Sequence, residues 1–131
     1  MTPGFRILLV DDEEAILFAF RQILKGPRTA VDVATTVGDA KQLLDRQAYE
    51  GVVADLRLTG ANKMDGFEVV SHAHRVQPSC IIIVATAYGD EETKNHVLSL
   101  GAHWYFEKPV SPRVVKEKFV DLGALPVNDL S

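Results

Sequence analysis

Ile81-Ile82-Ile83-Val84-Ala85-Thr86 is an unbroken apolar run that ends on a hydroxyl. Three other runs stop the same way: Ile7-Leu8-Leu9-Val10 at Asp11-Asp12, Val52-Val53-Ala54 at Asp55, and Trp104-Tyr105-Phe106 shortly before Lys108-Pro109. A strand wetted on one face alternates apolar and polar residues. A run without alternation suits a strand buried on both faces, the condition of a parallel sheet covered by helices.

Between the runs the period changes from continuous to helical. Glu13 to Lys25 carries Ile16, Phe20, Ile23 and Leu24 on one face and is closed by Gly26-Pro27. Val31 and Val33 predict a short second strand, and Val37, Ala40, Leu43 and Leu44 a helix to about Gln47. Gly51 to Asp55 reads as the third strand. Gly66 to Gln77, with Phe67, Val70 and Ala73 together, reads as a helix stopped by Pro78. Cys80 to Thr86 is the fourth strand, and Asp90, Glu91 and Glu92 suit the positive end of a helix that carries Val97 and Leu100 and stops at Gly101. His103 to Glu107 is the fifth strand. Ser111 as N-cap and Pro112 in the first turn open a last helix that presents Val115, Phe119 and Leu122 to the sheet. This alternation predicts an α/β doubly wound five-stranded parallel sheet in the order 2-1-3-4-5, of the flavodoxin-like kind, with ligands at the carboxyl ends of strands one and three. A chain of 131 residues buries enough surface for one domain, expected over 1–124, with 125–131 as a tail or the start of a linker.

Composition excludes several classes. No apolar run approaches the ~20 residues that cross a bilayer, and no secretory signal is visible, so a cytoplasmic chain away from the membrane is expected. Cys80 is the only cysteine, which rules out a disulfide within the chain. A net charge of -4 without a basic cluster argues against direct nucleic-acid binding. The four histidines read as solvated surface residues, His72 and His74 being two apart on a helix and pointing different ways.

The predicted topology gathers Asp11, Asp12, Asp55, Thr86 and Lys108 at one sheet edge. Two carboxylates about 5 Å apart repel by roughly 3 kcal/mol at an effective dielectric near 20, so three of them call for a cation. An all-oxygen set suits magnesium, with manganese as a substitute. A carboxylate between such a cation and an ammonium is placed to act as nucleophile toward an activated phosphate, and Asp55 holds that position.

At these residues the chain resembles the receiver domain of two-component response regulators over essentially its whole length. The resemblance is carried by Leu9-Val10-Asp11-Asp12-Glu13, Val53-Ala54-Asp55-Leu56-Arg57, Met64-Asp65-Gly66-Phe67, Val84-Ala85-Thr86-Ala87, and Gly101-Ala102 leading to Tyr105 and Lys108-Pro109. It implies that Asp55 accepts a phosphoryl group from a histidine kinase or histidine phosphotransfer protein. It also implies that Asp11, Asp12, Asp55 and the Arg57 backbone carbonyl serve Mg2+, Asp11 largely through water, and that Lys108 pairs with the phosphoryl oxygens. Thr86 and Tyr105 are similar to the switch pair that reshapes the face of helix four, strand five and helix five. That face would then signal to a downstream effector domain or protein and offer a homodimer contact, to which Trp104 could add. The family often has the Lys108-Pro109 bond cis, and Tyr88 would shield the phosphoryl from water. One departure stands out: 11 positions separate Asp55 from Gly66, and Thr59 stands where most receivers carry proline, so the loop through Thr59-Gly60-Ala61-Asn62-Lys63-Met64 is longer than usual.

Rival classes fit less well. A dehalogenase-type phosphatase needs a second Asp two residues after its nucleophile, and Arg57 stands there, so no turnover enzyme is expected beyond the chain's own phosphoryl transfer and loss. A flavodoxin-like cofactor binder holds phosphate in its first loop, which Asp11-Asp12-Glu13-Glu14 would repel. A receiver-like interaction module that is not phosphorylated stays open as the alternative.

Overall fold

The computed structural model describes residues 4–58, 64–87 and 89–127. The elements run β1 (Phe5–Val10), α1 (Glu14–Leu24), β2 (Thr29–Ala34), α2 (Val37–Arg46), β3 (Gly51–Ala54), α3 (Met64–Val76), β4 (Ile81–Thr86), α4 (Glu91–Leu100), β5 (Trp104–Glu107) and α5 (Pro112–Asp121). The strands form one sheet in the order β2-β1-β3-β4-β5, all pairs parallel, as the sequence predicts.

Alternation along each buried strand divides its side chains between two cores. Leu8, Val10, Val52, Ala54, Ile82 and Val84 pack with residues of α2, α3 and α4. Ile7, Leu9, Val53, Ile83 and Ala85 pack on the opposite face with residues of α1 and α5. Ile82 and Ile83 are adjacent and both wholly buried, one in each core. Each such side chain contributes about 1.5–3 kcal/mol by leaving water, which is why the strands read as unbroken runs.

Local signals place the helix ends. The side chains of Thr36, Asp90 and Ser111 accept hydrogen bonds from the backbone N–H groups of Asp39, Thr93 and Arg113, starting α2, α4 and α5. Gly101 ends α4 at φ 120, and a side chain there would run into the His74 ring. Gln77 ties two layers together: its amide donates to the carbonyls of Leu44 and Gln47 at 2.8 and 2.6 Å, and its side-chain oxygen accepts from the Tyr49 N–H at 2.7 Å.

Three expectations need correction. The buried seam of α1 is Leu17, Phe20 and Leu24, with Ile16 and Ile23 only half-buried on its flanks. Leu122 does not face the sheet and is exposed, because the chain turns at Gly123 (φ 86) and Ala124 and Leu125 enter the core instead. His72 is not a solvated surface residue. It is buried, bonded through Nε2 to Asp45 at 2.8 Å and through Nδ1 to the Arg75 guanidinium at 3.0 Å, which links α2 to α3. Its neighbour His74 does point elsewhere, onto Gly101. Cys80 is buried, and its thiol is pushed up to about 12 by that burial and by Glu50, an inert small hydrophobe as expected. The Lys108-Pro109 bond is cis. Tyr88 and most of the long loop after Asp55 lie outside the described residues.

Candidate functional site

The sheet's hydrogen bonding continues for one residue past the strand ends, and this aims the polar side chains. The backbone N–H of Asp11 donates to the Ala34 carbonyl at 3.1 Å, that of Asp55 to the Val10 carbonyl at 2.9 Å, and that of Lys108 to the Thr86 carbonyl at 2.9 Å. Each residue is therefore fixed in backbone register with the neighbouring strand, and its side chain leaves the same end of the sheet.

The side chains converge there. Carboxylate oxygens of Asp11, Asp12 and Asp55 all lie within 4.8 Å of one another. Asp11 and Asp55 are 6% and 3% exposed, whereas Asp12 faces solvent. The Lys108 ammonium donates to Asp11 Oδ2 at 2.5 Å and to Asp55 Oδ2 at 3.4 Å. Asp11 also accepts the Glu13 N–H through Oδ1 at 3.0 Å, which steers the chain into α1, so it both directs a helix start and faces the cluster. The other oxygen of Asp55, Oδ1, accepts the Leu56 N–H at 2.7 Å.

The electrostatics follow from this packing. Burial raises the Asp55 carboxyl above its ordinary value; Lys108 pulls it back, Asp11 pushes it up, and hydrogen bonds from Thr86 and the Leu56 amide lower it. Burial would drop the Lys108 ammonium, but the hydrogen bond and charge of Asp11, then of Asp55, outweigh it and raise the group. Below the charges lies an apolar floor around a 10 Å³ cavity lined by Leu17, Phe20, Val53 and Ala85 among others. One ammonium against three carboxylates leaves the cluster two negative charges in excess, and all the free donors are oxygen. That set fits a hard divalent cation.

Further residues frame the pocket. Gly66, in the first turn of α3, is buried against the end of β3: its N–H donates to the Leu56 carbonyl at 3.0 Å, and a Cβ there would collide with the Leu56 backbone and the Asp55 carbonyl. Thr86 is wholly buried at the end of β4. Tyr105, on β5, packs against the α2–α3–α4 core, and its hydroxyl is buried without a hydrogen-bond partner among the described residues. That hydroxyl occupies the space a side chain at Gly89 would need. Burial, then the charges of Glu107, Asp90 and Glu91, raises the phenol above its usual value. Trp104 faces outward beside it, with the Lys118 ammonium 3.7 Å from its ring centroid. Sequence reasoning missed Gly89 as the seat of the Tyr105 ring; a glycine three residues after a strand-end threonine is the trace it leaves in the sequence. The structure brings Asp11, Asp12, Asp55, Thr86 and Lys108 to one edge and places Tyr105 behind the loop that follows Thr86.

Comparison with known proteins agrees with this geometry. The chain is 36% identical over 107 residues to the alginate biosynthesis transcriptional regulatory protein AlgB of Pseudomonas putida, a match covering 82% of this chain and 23% of that protein. It thus spans about a quarter of that relative's length. Among solved structures it is similar to a CheY-like response regulator receiver domain protein from Methanospirillum hungatei JF-1, at 32% identity and a TM-score of 0.78, covering 90% of this chain and 95% of that one. It is also similar to a response regulator protein from Burkholderia pseudomallei with a phosphorylated aspartic acid, calcium ion and citrate, at 25% identity and a TM-score of 0.78, covering 95% and 68% respectively. Residues 7–120 match the response regulator receiver domain family. The chain belongs to that family, as a receiver domain of the two-component response regulators.

Proposed function

We propose that Asp55 is the phosphoryl acceptor of a signalling switch, with a phosphohistidine on a partner kinase or phosphotransfer protein as donor. An Asp55 carboxylate oxygen would form the new O–P bond as the N–P bond of the donor breaks. The electron pair leaves with the imidazole nitrogen, which then takes up a proton. The observation that supports this most directly is the buried Asp55 carboxylate, which shares the cluster with Asp11 and Asp12 and lies 3.4 Å from the Lys108 ammonium that also holds Asp11. Asp11, Asp12 and Asp55 are the side chains to hold magnesium, with manganese as a substitute, and the Arg57 carbonyl extends the set. When bound, the ion supplies neutralisation of charge on the transferred group.

The protein's own groups do the rest. Lys108, already at the acceptor, meets the phosphoryl oxygens, and Thr86, hydrogen-bonded to Asp55, can move with the new group. A shift of Thr86 frees space behind it, and Tyr105, packed under the following loop, would respond. The face of α4, β5 and α5 then carries the change to an effector domain or protein, or to a second copy, with a coupling of about 1–3 kcal/mol. In this reading the domain is a cytoplasmic phosphoprotein that catalyses only its own transfer and dephosphorylation. It does not itself contact DNA or membrane, in keeping with its net charge of -4 and with the absence, among the described residues, of a helix long and apolar enough to cross a bilayer.

Intact mass spectrometry after incubation with acetyl phosphate and magnesium tests the acceptor. One phosphoryl group is expected on the wild type and none on Asp55→Asn. Equal labelling of the two would overturn the assignment, and no labelling of either would favour an unphosphorylated interaction module.

A further inference from the structure

The outer edge of β2 takes no part in the acceptor site. The carbonyls of Arg28 and Ala34 receive the N–H groups of Phe5 and Asp11, so the even-numbered residues of this stretch turn their backbone groups toward β1. Alternation then turns the backbone groups of Thr29, Val31 and Val33 outward, where the sheet has no further strand among the described residues. Thr29 is occupied, exchanging two hydrogen bonds with Gly26 across the Pro27-Arg28 turn at 3.1 and 3.2 Å. Val31 and Val33 each keep an amide and a carbonyl directed away from the sheet.

A groove of 590 Å³ runs along this edge, lined by Arg21, Gln22 and Lys25 from the end of α1 and by residues of β2. Its one carboxylate, Asp32, is committed to the Arg6 guanidinium at 3.3 Å and the Tyr49 hydroxyl at 2.6 Å. Arg21 and Lys25 have no ion pair among the described residues, and Arg28 at the adjoining turn only stacks over Phe5. The side chains of Val31 and Val33 face the core, leaving Val31 7% exposed and Val33 half-buried, so what the edge offers is their outward backbone groups, flanked on a chain of net charge -4 by uncommitted cations. Cations beside an edge repel an identical edge, which disfavours pairing between two copies, while they attract a strand of opposite charge.

We infer that the β2 edge is a docking strand for an extended acidic segment of a partner protein, which adds to the sheet through Val31 and Val33 and is selected by Arg21 and Lys25. Main-chain pairing would supply the register and the cations the choice of partner.

The probe is the blocked hexapeptide Glu-Val-Glu-Val-Glu-Val added to the 15N-labelled full chain. It should slow amide exchange at Val31 and Val33 by about tenfold or more at saturation and leave the β5 amides unchanged. Arg21→Glu/Lys25→Glu should weaken binding by at least about tenfold, as should replacing the peptide's glutamates by lysine or N-methylating alternate amides. Arg21→Gln/Lys25→Gln, which only removes charge, guards against misfolding and should give an intermediate affinity. Unchanged exchange at Val31 and Val33, equal binding of the lysine or N-methylated peptide, or wild-type affinity in the charge variants would each overturn the proposal.

Discussion

Replacing Lys108 by methionine tests whether the site is an electrostatic unit. The ammonium sits 2.5 Å from Asp11 and 3.4 Å from Asp55, two carboxylates that are 6% and 3% exposed. At an effective dielectric of 20, a pair 3.4 Å apart attracts by about 5 kcal/mol, and two carboxylates no more than 4.8 Å apart repel by at least about 3 kcal/mol. Desolvating the ammonium cancels part of the attraction, and removing one partner leaves uncompensated buried charge, so Lys108→Met should lose about 2–4 kcal/mol of stability at pH 7 in chelator. The loss should shrink as pH falls, since a proton on Asp55 can replace the missing cation. Adding Asp55→Asn to Lys108→Met should recover most of it. Magnesium should raise the variant's urea midpoint more than the wild type's, because the site then carries one more uncompensated negative charge. Equal stability of variant and wild type in chelator, or an equal magnesium increment, would refute the view that Lys108 holds the carboxylates together.

Gly66→Ala should cost at least about 2 kcal/mol in urea unfolding, because its Cβ would strike the Leu56 backbone and force α3 away from the end of β3. Gly89→Ala should expel the Tyr105 ring from its seat, and the phenol, now raised chiefly by burial, should titrate at lower pH than in the wild type by ultraviolet absorbance; an unchanged titration would contradict the packing. His103 should titrate below 6.5 by NMR, chiefly through partial desolvation of a ring that is otherwise exposed and secondly through His74, so its contribution to stability is full above 6.5 and declines as pH falls below it. His74→Ala should move that midpoint back toward 6.5, and a protonated His103 should lose the hydrogen bond its Nδ1 accepts from the Ile82 N–H at 3.0 Å.

The chain could be read to the depth that it was because its main constraints are local and periodic. Ile81 to Thr86 has to be unbroken to be buried on both faces, and a polar residue can follow only where the strand leaves the sheet. Strand order and site therefore come from one pattern, and Asp11, Asp55, Thr86 and Lys108 were legible as a group. What was not legible depends on which neighbour happens to lie across a gap. His72 looks like any surface helix histidine until α2 brings Asp45 to it. Leu122 continues the helical period of α5, but Gly123 at φ 86 sends the chain inward one residue later and leaves Leu122 outside. Gly89 reads as a loop glycine, yet the Tyr105 hydroxyl lies in the volume its missing side chain would fill. That last contact joins the two kinds of information. Periodicity places Tyr105 on β5, and only the absent Cβ of Gly89 allows its ring to stand where it does. The seat of the Tyr105 ring is therefore set in part by a residue with no side chain, one that carries no chemistry of its own.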